Sequence, residues 1–96
     1  MATYIMQNTH RPEDCQALGE EALAYPLPAS LKGQPFLCTC PSGTHGGVFA
    51  VQADDEADAL ALVGPKFRAG TRAWLGEIYD IGDPDVLPVA EPRGGA

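Results

Sequence analysis

Residues Phe36–Gln52 read FLCTCPSGTHGGVFAVQ. Two runs of strand-forming side chains flank Pro41–Gly47, a segment made of residues that tolerate tight backbone angles. The stretch therefore predicts a β-hairpin: a strand over Phe36–Cys40, a turn, and a returning strand over Val48–Gln52. It also holds two of the chain's three cysteines and one of its two histidines, so the segment that decides the fold also carries chemistry.

Outward from the hairpin, Thr3–Thr9 alternates as a strand should, and His10-Arg11-Pro12 interrupts it. Pro12 suits the first turn of a helix, and Glu13 and Asp14 favour the positive end of its dipole. Apolar residues then recur at Cys15, Leu18, Ala22 and Tyr25, near helical spacing. Pro26, Pro28, Gly33 and Pro35 mark a loop into the hairpin. Beyond the hairpin, Asp54 is placed to cap a second helix, with Asp55, Glu56 and Asp58 in its first turns. Leu60, Leu62 and Val63 supply its buried side, and GPKFRAGTR ends it. Ala73–Ile81 reads as a fourth strand. Residues 1–82 form the predicted domain, and 83–96 a Pro- and Gly-rich tail.

The predicted order is β-α-β-β-α-β, an α+β arrangement and the split pattern of ferredoxin-like domains, with an antiparallel sheet in the order 4-1-3-2. Two helices on one face leave the other face bare, and a second copy of the chain is the expected cover. The chain resembles the dimeric α/β-barrel group of small proteins. Within that group, the acid-rich helix start ADDEADALALV followed by WLGEIYDI is similar to small bacterial families, uncharacterised or of nickel-binding type. The further His and Cys positions of the nickel-binding members are missing. The resemblance implies a homodimer with a pocket on the sheet.

Ninety-six residues make one domain. A chain of this length hides roughly 65% of its unfolded surface, enough for one modest core. With 45% hydrophobic and 20% charged residues, the composition is that of an ordinary globular protein. The net charge of −7 argues against nucleic acid or an anionic membrane surface as partner. No apolar run reaches the roughly 18 residues that span a bilayer. MATYIMQNTHRPED places no basic patch before an apolar block, so no signal peptide is expected. An odd number of cysteines then fits a reducing, cytoplasmic setting.

In the predicted topology the first and second strands end on a common border of the sheet. His10 closes the first, Cys40 closes the second, His45 lies in the following turn, and Cys15 sits in the first turn of the helix leaving that border. Arg11, Lys66, Arg68 and Arg72 are expected there too, a basic rim able to steer a small anionic ligand. Strand parity predicts a helix-facing core of Ile5, Leu37, Phe49, Val51 and Leu75. Tyr4, Met6, Asn8, His10, Phe36, Cys38, Cys40, Trp74 and Ile78 are expected to line the opposite face.

Three chemistries are open to this set. His10, Cys15, Cys38, Cys40 and His45 are the residue types that hold Zn, Ni or Cu. Cys38 and Cys40 would lie on one side of a strand with Cβ atoms roughly 7 Å apart, so sharing one ion needs a bend, which Pro41 can supply. Alternatively, a thiolate at Cys40 with His10 or His45 as base would serve covalent catalysis. In the third reading His10 is the general base of an isomerase or oxygenase, with Tyr4, Asn8 and Trp74 orienting an anionic or aromatic ligand, Arg72 holding its carboxylate and Arg68 a further ligand-binding candidate. Metal binding is the leading expectation, and the small-molecule enzyme is the alternative.

Overall fold

The first strand, β1 (Ala2–Thr9), runs antiparallel to β3 (Gly46–Ala53) over its whole length, from Ala2 opposite Ala53 to Thr9 opposite Gly46. This pairing is the spine of the computed structural model, which describes residues 1–25, 28, 31, 33–83 and 85. On its other side β1 pairs antiparallel with β4 (Thr71–Leu75), and the short β2 (Leu37–Cys38) joins the free side of β3. The four strands form one antiparallel sheet in the order β2-β3-β1-β4. With the helices α1 (Cys15–Ala24), α2 (Glu56–Ala61) and α3 (Pro65–Ala69), the fold is α+β. No described helix is long and apolar enough to cross a membrane.

Local chemistry sets the boundaries. Pro12 opens a single 3-10 turn, Pro12–Asp14, that leads into α1. The expected strand Phe36–Cys40 shrinks to Leu37–Cys38 because Thr39 takes helical angles (φ −102°, ψ 0°). Cys40–Ser42 then forms a 3-10 turn that ends on Gly43 at φ 91°, a conformation that favours glycine. The helix cap after β3 is Asp55 rather than Asp54: its side chain accepts from the Asp58 N–H at 2.8 Å. Gly64 is extended before Pro65, since a residue preceding proline avoids helical angles, and the chain restarts as the separate helix α3. The fourth strand stops at Leu75, not Ile81. The predicted tail lies largely outside the described residues.

The core forms between the sheet and α2: Met6, Val51, Ala53, Ala59 and Ala73 are buried together, with Tyr4, Phe49, Leu60 and Leu62 packed against them. This corrects the expected parity of β1. Tyr4 stands opposite Val51, Met6 opposite Phe49 and Ala73, and Asn8 opposite Thr71, so the even residues of β1 face the helices. Directly opposed residues share a face. Phe49 and Val51 therefore face the core as expected, whereas Ile5 and Leu37 do not. Leu75 is opposite Tyr4 but 71% exposed, at the open end of the sheet. Alternation alone could not choose between faces, because both sides of β1 carry apolar residues. The face turned away from the described helices, bare among the described residues, carries Ile5, Ala50 and Trp74 in cross-strand contact, with Leu37 opposite Val48.

Candidate metal centre

The register of β1 with β3 builds the site. Its last pair, Thr9 with Gly46, puts His10 and His45 next to each other just beyond the sheet. There the His10 N–H donates to the His45 carbonyl at 3.1 Å. Cys38 is opposite Gly47, and the Thr39 N–H donates to the Gly46 carbonyl at 3.0 Å, which brings Cys40 to the same border. The turn is held by Thr39 Oγ1 donating to the Thr44 carbonyl (2.6 Å) and Ser42 Oγ donating to the Thr39 carbonyl (2.7 Å). Cys15 opens α1 above it.

One ligand atom from each of His10, Cys15, Cys40 and His45 lies within 4.8 Å of all the others, and all four residues are half-buried. Cys15 Sγ is 3.0 Å from His10 Nε2 and 2.7 Å from His45 Nδ1, and Cys40 Sγ is 3.8 Å from His10 Nε2. A tetrahedral zinc with ordinary Zn–S and Zn–N bonds needs ligand atoms about 3.4–3.8 Å apart. The separations, from 2.7 Å up to at most 4.8 Å, bracket the required range, so adjustments of up to about 1 Å would seat an ion.

The imidazole of His10 is oriented from behind. Asn8 Nδ2 donates to the Phe67 carbonyl and to Thr71 Oγ1, both at 3.0 Å. Thr71 Oγ1 in turn donates to the Phe67 carbonyl at 2.6 Å, which leaves its lone pairs for Asn8. The amide can then present only Oδ1 to His10, 2.8 Å from Nδ1. His10 Nδ1 must carry the hydrogen, and the lone pair on Nε2 points into the cluster. This is the arrangement by which metal-bound imidazoles are held from outside the coordination shell.

The two cluster thiols are unequal. Cys15 is pushed above the usual thiol range by burial and then by Cys40 beside it. Cys40 is drawn below it, chiefly by hydrogen bonding with the Gly46 backbone, which outweighs its burial. Cys40 is the first of the pair to become a thiolate. All three cysteines are free thiols.

Of the expected ligands, His10, Cys15, Cys40 and His45 converge, and Cys38 does not join them; it is exposed on β2. Tyr4 packs against the core and Asn8 is buried. Trp74 and Arg72 lie on the bare face, opposite Ile5 and Gln7. The expected basic rim is split: Arg11 and Lys66 border a second hollow with His10, where Arg11 also pairs with Glu13 and Asp14, whereas Arg68 turns inward, its guanidinium donating to the Leu60 and Val63 carbonyls at 2.9 and 2.7 Å. Ile78 is 63% exposed beyond β4.

Sequence reasoning missed Thr71 and Glu21. The Glu21 carboxylate accepts from the Lys66 and Phe67 N–H groups at 2.7 and 2.9 Å, so α1 caps the start of α3. Pro65 at the head of α3 signals an uncapped helix start, but nothing in the sequence says which residue, 44 positions earlier, supplies the cap.

A cavity of about 430 Å³ opens beside the cluster, between α1 and the helix-facing side of the sheet. Leu18, Ala22, Phe36, Phe49, Val63 and Phe67 are among its walls, and His10, Cys15 and Cys40 stand at one end.

Comparison of the chain with known protein families, with curated proteins and with solved structures finds no match.

Proposed function

We propose that the protein binds one soft transition-metal ion through His10, Cys15, Cys40 and His45. The observation that carries this reading is the convergence of four ligand atoms, from two stretches of chain 25 residues apart (His10–Cys15 and Cys40–His45), within 4.8 Å. A two-sulfur, two-nitrogen tetrahedron suits zinc best, with Ni and Cu(I) as competitors. Four protein ligands leave no open position, which favours a structural, storage or sensing role over a catalytic metal.

The ferredoxin-like reading of the fold, and assembly of two copies through the bare face, belong to the same proposal. They are supported by the strand order β2-β3-β1-β4 and by Leu37 (66% exposed) and Trp74 (49%) on the uncovered side of the sheet. Large apolar side chains left open in this way are enriched at interfaces.

The test is elemental analysis of untagged protein after exchange into metal-free buffer. Near-stoichiometric metal in the wild type, lost in Cys40→Ser and His45→Ala, supports the reading. A wild-type chain that retains no metal sinks it.

A further inference from the structure

Helix α1 crosses its cavity as a span fixed at both ends. Cys15, its first residue, enters the metal cluster. Near its other end, Glu21 holds the N–H groups of Lys66 and Phe67, and Tyr25 Oη donates to the Ala61 carbonyl at 3.3 Å. Between these anchors no residue of α1 is fully buried. Cys15, Leu18, Gly19 and Ala22 share one face at helical spacing, and all four line the cavity. A helix on a sheet ordinarily buries its apolar stripe against the strands. Here the stripe faces about 430 Å³ of space instead.

The lining states what would fill that space. It is overwhelmingly apolar, and among the described residues no lysine or arginine contributes to it. The one carboxylate among the described lining residues, Glu21, is already engaged by two backbone N–H groups. His10, Cys15 and Cys40 point at one another rather than along the cavity. Among the described residues nothing there would stabilise a charged ligand, and burying an unpaired charge is costly. The volume lies within the range of small-molecule sites.

We propose that this cavity binds an uncharged, apolar small molecule, aromatic or alicyclic, and that metal at the cluster tightens the binding by pinning α1 over it. The coupling rests on the metal reading above; the cavity itself does not. With the metal bound, Cys15 is tied to His10, Cys40 and His45, and the helix is fixed over the ligand. Without it, one end of the span is free. Linkage makes the effect mutual, so the apolar ligand also tightens the metal.

The experiment titrates N-phenyl-1-naphthylamine, a neutral fluorescent probe, into protein whose zinc content has first been measured. Saturable one-to-one binding is expected in the zinc-loaded wild type, weaker by about fivefold or more in the metal-free chain. Two filling variants complete it. A Cβ at Gly19 would meet nothing within 4 Å, so Gly19→Leu fits, and it replaces a poor helix former with a good one. Ala22→Leu fills the same face. Both are expected to keep their zinc and lose the probe.

Zinc-loaded wild type without saturable binding, or filling variants that bind like wild type, overturns the cavity while leaving the metal centre standing. Equal affinity with and without zinc overturns the coupling. A chain that takes up no zinc overturns the metal reading and the coupling together, and elemental analysis shows this before any probe is added.

Discussion

Asn8 Oδ1 lies 2.8 Å from His10 Nδ1, and it is held there because the amide's other end is engaged by Phe67 and Thr71. The pair links the sheet interior to the His–Cys cluster. Asn8 is 2% exposed, so its amide cannot rotate toward water. Its side chain fixes which nitrogen of His10 faces Cys15.

Replacing Asn8 with leucine, similar in size but with no polar atom, is expected to weaken zinc binding by about 10- to 100-fold. The Phe67 carbonyl keeps the Thr71 donor, so the metal-free fold should lose only about 1–3 kcal/mol. Competition with a chromophoric chelator measures the first effect and urea unfolding of the apoprotein the second. Unchanged zinc affinity would show that His10 needs no orienting partner.

Thiol reactivity should follow the two pKa directions. Cys40 is drawn down, chiefly by the Gly46 backbone, and Cys15 is pushed up, chiefly by burial. The thiolate is the reactive form. In metal-free protein below the ordinary thiol pKa, iodoacetamide should therefore modify Cys40 faster than Cys15. The ratio should shrink as pH rises through both values, where both thiols are ionised. Zinc should protect both while leaving the exposed Cys38 open to reagent. Peptide mapping by mass spectrometry reads all three sites. Faster modification of Cys15 would reverse the assigned order.

The start of α3 should depend on Glu21. Removing its carboxylate in Glu21→Ala leaves the Lys66 and Phe67 N–H groups without their acceptor. A loss of about 1–2 kcal/mol is expected, as for other helix caps. Glu21→Gln should recover part of it. Denaturant unfolding of the three proteins side by side measures both.

Adjacent glycines in the hairpin should respond differently to alanine. A Cβ at Gly46 would sit 2.2 Å from the Asn8 carbonyl oxygen, and backbone paired within a sheet cannot step aside. A Cβ at Gly47 would meet the Phe36 ring, also at 2.2 Å, but that ring is 49% exposed and can swing away. Gly46→Ala should cost more than about 2 kcal/mol and disturb the cluster, whereas Gly47→Ala should be milder. Thermal melts with and without zinc test the contrast.

The convergence of the cluster could be read from the chain because it follows from strand order and from the ends of strands, which Pro12 and the Pro41–Gly47 turn mark clearly. The face each strand presents could not. Tyr4-Ile5-Met6 offers apolar side chains to both sides of the sheet, and only the pairing of Met6 with Phe49 and Ala73 shows which is inside. The exclusion of Cys38 turns on the backbone angles of Thr39, which the sequence CTCP does not specify. The departure of Arg68 from the expected basic rim was equally hidden. Arg68 satisfies carbonyls at the end of α2, a local hydrogen-bonding need that outweighs any pull toward a distant edge.

The most direct measurement is X-ray absorption at the zinc edge of reconstituted protein. Two sulfur neighbours at about 2.3 Å and two nitrogen neighbours at about 2.0–2.1 Å are expected, with the same spectrum in Cys38→Ser and one sulfur fewer in Cys15→Ser. A shell of oxygen and nitrogen only, or a third sulfur that disappears with Cys38, would contradict a centre built from His10, Cys15, Cys40 and His45.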